Sequence, residues 1–232
     1  MPERVQLREA SVADAYEIAR AEANGFSKDP VFTWFANYND RSTPEALTFS
    51  AYRTKERLVS ADSVVIIAST ESSDVAGVAT WQFRPLGRRS FDTPMKTLQR
   101  PCHSWQSWLY HKLWTDKTYN PERERHFFAK NYALHDDVVD LQNAKNGFWY
   151  LSVLYTVASE RRKGVAAALL KWGKERARED NVPLFLESSP AGLPFYLNAG
   201  FKKVGEVEIK GEGIDGVMTE RPMILRHVIW HP

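Results

Sequence analysis

The residues best suited to chemistry form one basic turn, Glu160-Arg161-Arg162-Lys163-Gly164-Val165-Ala166. Three cations stand beside a glycine, and the small residues Val165, Ala166 and Ala167 follow it. The first amides of a helix lack an intrahelical partner and together carry roughly half a positive charge. Glycine lets backbone approach backbone, and small side chains leave those amides uncovered. A helix starting here would hold an anion, and a phosphate suits it best. The same residues also fit a basic helix start on a solvated face.

The flanking sequence supplies the elements that would position this turn. Upstream, Phe148-Trp149-Tyr150-Leu151-Ser152-Val153-Leu154-Tyr155-Thr156-Val157 is aromatic and β-branched, which predicts a buried strand. Downstream, Val165, Ala168, Leu169, Trp172 and Arg176 recur at helical spacing, with Lys171, Lys174, Glu175, Arg178 and Glu179 on the other side. That predicts an amphipathic helix. The chain has no G-x-x-x-x-G-K-[ST] and no G-x-G-x-x-G, which argues against a nucleoside triphosphate loop and a dinucleotide fold. Pro183 to Ser189 predicts a second short strand, and Lys203 to Lys210 a third. Between them a short helix carries Tyr196 four residues before Gly200-Phe201.

Arg161-x-x-Gly164-x-Ala166, set between a strand and a helix, resembles the pyrophosphate loop of the GNAT superfamily of acetyl-CoA-dependent N-acetyltransferases, whose pattern is Gln/Arg-x-x-Gly-x-Gly/Ala. Tyr196 ahead of Gly200-Phe201 is similar to that family's second signature, and together the two cover Leu151 to Glu208. The resemblance implies an α/β (α+β) fold. Its central sheet would be mixed and mostly antiparallel, with about seven strands, helices on both faces and a splay between strands 4 and 5. It also implies acetyl-CoA as acyl donor. The backbone of Leu154, Tyr155 and Thr156 would pair with the pantetheine arm. The N–H groups of Arg162, Lys163, Gly164, Val165, Ala166 and Ala167 would meet the pyrophosphate, and Arg161 would add charge. Ser189 stands where many members have a coenzyme-contacting asparagine, Ala158 replaces a common proline, and Ala166 a commoner glycine.

Acetyl transfer to an amine needs a base, an oxyanion donor and an acid for the departing sulfur. Tyr196 matches the family tyrosine that protonates the thiolate; an ordinary half-buried helix tyrosine is the other reading. Glu187 closes a strand beside the expected cleft. A carboxylate there could accept the amine's proton, bind the ammonium, or serve as a structural hydrogen-bond partner. His111, His126 and Tyr150 are further candidate bases.

The rest of the chain agrees with that order of elements. Val5 to Arg8 is a short strand, and Ser11-Val12-Ala13-Asp14 is a capping box opening a helix. Thr43-Pro44-Glu45 starts another helix, with proline at its first position. Residues 63–68 and 75–83 form a hairpin. The family's first helices border the acceptor, so Phe32 and Trp34, with Trp81 and Tyr150 on the strands, are the candidate substrate-binding residues; core packing is the alternative. At about 85–146 some sixty residues replace a brief turn. That stretch holds Trp105, Trp108, Trp114 and four of the six histidines. Long ordered connections are usually functional. It is expected to form helices, one over His103 to Trp114 and one carrying Phe127, Leu134, Val138 and Leu141, covering the acceptor site. A dimer contact or an extra core layer would explain it as well.

The 232 residues are 43% hydrophobic and 26% charged, with a net charge of +2. That suits a single domain spanning 1–232 and argues against nucleic-acid or membrane partners. The lone Cys102 excludes an internal disulfide, the histidine spacings give no metal site, and no signal or membrane span is evident. A cytoplasmic monomer or homodimer is expected. It would be an N-acetyltransferase moving the acetyl group directly to a primary amine of a small molecule. The alternatives are a protein lysine or N-terminal acetyltransferase and an acyl-CoA-binding regulator without turnover. His227 and His231, near the chain end, are expected to be exposed rather than catalytic.

Overall fold

In the computed structural model, which describes residues 4–29, 32, 41–85, 87–114, 120, 122–123, 125–126, 129, 144, 146–209 and 223–232, apolar runs become strands and amphipathic stretches become helices. The elements are β1 (Gln6–Glu9), α1 (Ala15–Gly25), α2 (Pro44–Leu58), β2 (Ser63–Thr70), β3 (Ser73–Arg84) and α3 (Pro94–Leu113). They continue as β4 (Phe148–Thr156), α4 (Val165–Asp180), β5 (Leu184–Ser188), α5 (Leu193–Asn198), β6 (Lys202–Ile209) and β7 (Met223–Trp230). The sheet order is β1-β2-β3-β4-β5-β7-β6, antiparallel throughout except where β4 and β5 run parallel. This is the mixed α/β sheet expected from the sequence.

The helix starts follow their caps. Asp14 accepts from the Ser11 amide at 2.8 Å ahead of α1, and Thr43 Oγ1 accepts from the Ala46 amide at 3.3 Å at the start of α2. One sheet face packs under α4 through Trp81, Trp149, Leu151, Leu169, Leu184, Leu186 and Val228. The other packs under α1 and α2 through Ile18, Leu58, Val65, Ile67, Val78 and Tyr155.

A bulge in β4 decides which side chains reach which face. Thr80 pairs with Val153 but Trp81 with Leu151, so Ser152 is the extra residue, its hydroxyl donating to the Thr80 carbonyl at 3.2 Å. One inserted residue shifts the alternation. Phe148 and Tyr150 therefore share a face with Val153 and Tyr155, whereas Trp149, Leu151 and Leu154 lie under α4. Bulges also strengthen local twist, and β4 and β5 part here. They pair only through Trp149–Leu184 and Tyr150–Phe185. Beyond Tyr150, β4 continues to Thr156 with no β5 partner among the described residues.

The described part of the long connection is chiefly α3, which begins at Pro94, well before the expected His103. Thr93 caps it, its Oγ1 accepting from the Lys96 amide at 3.2 Å, and Pro101 lies inside the helix. An interior proline is a poor helix signal, which hid the first turns. α3 packs on α2 through Tyr110 against Phe49 and Tyr52, at 4.9 and 4.5 Å between ring centroids. The expected helix around Phe127 to Leu141 and the approach loop at 212–216 lie outside the described residues.

Candidate active site

The basic turn is a helix start of unusual backbone shape. Arg162 and Gly164 have φ of 66° and 88°, and Gly164 is the N-cap of α4 without any side-chain cap. A Cβ at Gly164 would meet nothing within 4 Å. The Gly164 carbonyl accepts from the Ala168 amide at 2.9 Å, while the amides of Arg162, Gly164, Val165, Ala166 and Ala167 find no acceptor among the described residues. Gly77 lets this helix end sit on the sheet, because a Cβ there would lie 2.6 Å from Val165 Cγ1. Opposite Gly77, Thr156 Oγ1 is buried with no hydrogen-bond partner among the described residues. Uncovered amides at a helix start, beside an orphaned hydroxyl, suit a diphosphate.

The side chains of the turn depart from expectation. Arg161 donates to the Gly25 carbonyl at 2.9 Å, closing off the end of α1. Lys163 Nζ reaches Ser72 at 3.1 Å and the Glu160 carboxylate at 3.2 Å. Glu160 is buried and also accepts from Thr70 at 2.7 Å. That hydrogen bond, with those from Lys163 and Ser72, holds its carboxyl below the usual range. These two cations fasten the turn to its surroundings instead of projecting free charge. Arg162, exposed and without a partner among the described residues, is the cation left beside the amides.

Across the parted strands lies the second half of the site. The Tyr150 hydroxyl donates to Glu187 Oε2 at 2.6 Å. Tyr150 is buried with Phe148, Phe185 and Ile229, and the Arg84 guanidinium lies 5.3 Å from its ring centre. His227, expected to be exposed, is 1% exposed and stands opposite Glu187 in the β5–β7 pairing, its ring 5.7 Å from Phe185. Burial lowers its pKa, so it is neutral near pH 7. Its alternation with Val228 within an apolar strand was the available signal.

Tyr196 lies on the opposite face, over the end of β5. It packs with Phe195 and Phe201 at 5.1 and 5.7 Å and belongs to the apolar cluster of Leu186. The start of α5 presses on β5, since a Cβ at Gly192 would lie 3.1 Å from Ser188 Oγ and 3.4 Å from Tyr196 Cε2. The Tyr196 hydroxyl has no hydrogen-bond partner among the described residues, and burial drives its pKa well up. The phenol therefore keeps its proton at ordinary pH. Ser189 stands at the same junction, its carbonyl accepting from the Gly192 and Leu193 amides at 3.1 Å.

Some expected site residues lie elsewhere. Trp81 is fully buried under α4, next to Trp172 and on the face away from Glu187, so it is a core residue and not an acceptor contact. The Tyr155 side chain is likewise core, donating to the Ile18 carbonyl at 3.0 Å; only its backbone remains a candidate, with that of Leu154 and Thr156. Phe32 stacks on Phe26 at 3.8 Å, and Phe26 meets Tyr155 at 5.2 Å. Trp34 lies outside the described residues. His111 is engaged within α3, its Nδ1 2.7 Å from the Ser107 carbonyl. Among the described residues no cluster of His, Cys, Asp or Glu could hold a metal, and no helix is long and apolar enough to cross a membrane.

Comparison with known proteins agrees with this fold. Residues 109–221 match the family model of the acetyltransferase (GNAT) domain. An acetyltransferase of Stachybotrys chartarum is 24% identical over 230 residues, covering 97% of this chain and 92% of that protein. A mosquito arylalkylamine N-acetyltransferase-like protein superposes with a TM-score of 0.61 at 10% identity, covering 99% of this chain and all of that one. The polyamine N-acetyltransferase of Drosophila melanogaster, which forms N-acetylagmatine, gives 0.59 at 8% identity with the same coverage. The structural likenesses carry the fold.

Proposed function

We propose that this chain, which belongs to the GNAT superfamily of acetyltransferases, moves an acetyl group from acetyl-CoA directly to a primary amine of a small molecule. The observation that carries the reading is the hydrogen bond from Tyr150 to Glu187 beside the parted strands. A carboxylate oriented by a phenol on the acceptor face suits an ammonium, binding it as a cation and then taking its proton.

The coenzyme supplies an activated thioester whose sulfur departs as a thiolate. The chain's own groups divide the remaining work. The amides of residues 162 and 164–167, with Arg162, hold the diphosphate, and the free backbone edge of Leu154, Tyr155 and Thr156 receives the extended arm. Ser189 lines the strand end where the arm finishes. On the other face, Glu187 accepts the proton at a carboxylate oxygen, leaving the amine neutral. As the amine nitrogen bonds to the acetyl carbon and the C–S bond breaks, Tyr196 passes its Oη proton to the departing sulfur, and the second proton shed by that nitrogen restores the phenol. Glu187 and Tyr196 point to opposite faces of β5, and the divergence of β4 from β5 is what lets both serve one reaction centre. Direct transfer fits because Cys102, the only cysteine, lies on the exposed side of α3.

Two structural neighbours are named for arylalkylamines and a polyamine, and a small amine is proposed as acceptor here too. A thiol-release assay with polyamines, arylalkylamines and lysine-containing peptides tests it. Saturable turnover with a small amine is expected. Turnover with peptides alone, or with no amine, would overturn the reading.

A further inference from the structure

α3 presents an apolar face to solvent. Met95, Leu98, Trp105, Trp108 and Leu113 are between 57% and 75% exposed, and their spacing places them along one side of the helix. Pro101 and Cys102 lie on that side too, with Lys112 at its end. The opposite side, with Ser107 and Tyr110, packs towards α2.

An aromatic side chain presents roughly 150–250 Å², so two tryptophans and three smaller apolar side chains, all more than half exposed, offer on the order of 500 Å². Monomers rarely leave a contiguous apolar patch of that size uncovered. A stable interface takes about 800 Å² from each partner, and rim residues such as Ser104 and Lys112 bring the face close to it. Its composition also suits a protein partner, since tryptophan and methionine are enriched and Pro94 to Trp114 contains no acid. A bilayer surface fits less well. Lys96 turns inward to Glu9 at 3.1 Å and Arg100 to Asp92 at 2.7 Å, which leaves little cationic charge along the face for anionic lipid.

We propose that this face is a two-fold interface between two copies of the chain, formed by antiparallel packing of α3 on its counterpart. A two-fold axis through the middle of the apolar stripe sets Cys102 against Trp105 of the partner subunit. At 1.5 Å per residue the two copies of Cys102 then lie within about 5 Å of each other along the axis, and helix packing separates the axes by about 8–10 Å.

The native cysteine makes the test direct. Sedimentation equilibrium of the full chain should give a dimer mass, and a short bis-maleimide should link the two copies through Cys102. L98E and W105E should each weaken the dimer at least about tenfold while leaving the far-ultraviolet circular dichroism unchanged. A monomer at every concentration, a dimer that Cys102 does not link, or one indifferent to both substitutions would overturn the proposal. So would sedimentation of the wild-type chain with anionic phospholipid vesicles in place of self-association.

Discussion

The Tyr150 hydroxyl donates to Glu187 Oε2 at 2.6 Å, joining β4 to β5 just where their backbones cease to pair. The contact holds a carboxylate at the fork of the sheet and orients it by a phenol from the neighbouring strand. A proton acceptor at this fork, as proposed for Glu187, needs both its charge and its partner.

E187Q should therefore lower kcat/KM for the amine by about 10²-fold, the lower end of what a positioned base supplies. Y150F should cost about tenfold, through orientation alone. Thiol release against amine concentration measures both, and equal, small effects would assign Glu187 a structural role.

Y196F should lower kcat by about 10–100-fold with coenzyme affinity unchanged, because the part proposed for the phenol is to supply a proton to the leaving sulfur. Burial raises the Tyr196 pKa, so its neutral form persists through the alkaline assay range. The wild-type profile should accordingly show no loss of rate between about pH 7 and 9 from this group. Single-turnover rates with a binding isotherm separate the two effects.

G173A should destabilise the fold by about 2 kcal/mol or more, as expected for overpacking a filled core. A Cβ on Gly173 would stand 2.1 Å from Trp81 Cη2, and that indole is wedged between β3 and α4. Urea unfolding checks it, and an unchanged midpoint would mean that α4 moves freely off the sheet.

The Glu160 carboxyl is held below its ordinary value by Thr70 first, then by Lys163 and Ser72. A depressed folded-state pKa gives stability that is complete above the unfolded value and is lost as pH falls through the folded one. Wild-type stability should thus fall as acid protonates Glu160, and E160Q, less stable at neutral pH, should show a shallower decline. Thermal melting from pH 7 down to pH 3 reads the difference, and parallel curves would exclude Glu160 as the source.

Much of this was legible in the chain. The strand, glycine turn and helix around Gly164 followed from periodicity and small residues, while Tyr196 was proposed from its likeness to the family's second signature and Glu187 from its place at a strand end. What was hidden depended on tertiary phase. The extra residue at Ser152 shifts the alternation of β4, and Trp81 falls under α4 by the same pairing. Neither is written in local composition. The cations Arg161 and Lys163 look free in sequence, but the end of α1 and the β2–β3 turn bring Gly25 and Ser72 to them. His227 was misjudged because nearness to the chain end says nothing of burial, whereas β7 runs between β5 and β6.

The amides around Gly164 decide whether the coenzyme binds as proposed, and calorimetric titration of coenzyme A into three proteins tests it. G164D places a carboxylate at the uncapped helix start, and G164N has a similar backbone tolerance without the charge. Coenzyme affinity should fall at least tenfold in G164D and far less in G164N, with the two variants melting alike and somewhat below the wild type, because φ at this position is 88°. Equal affinity in G164D and the wild type would contradict the assignment of this turn and, with it, the transferase site.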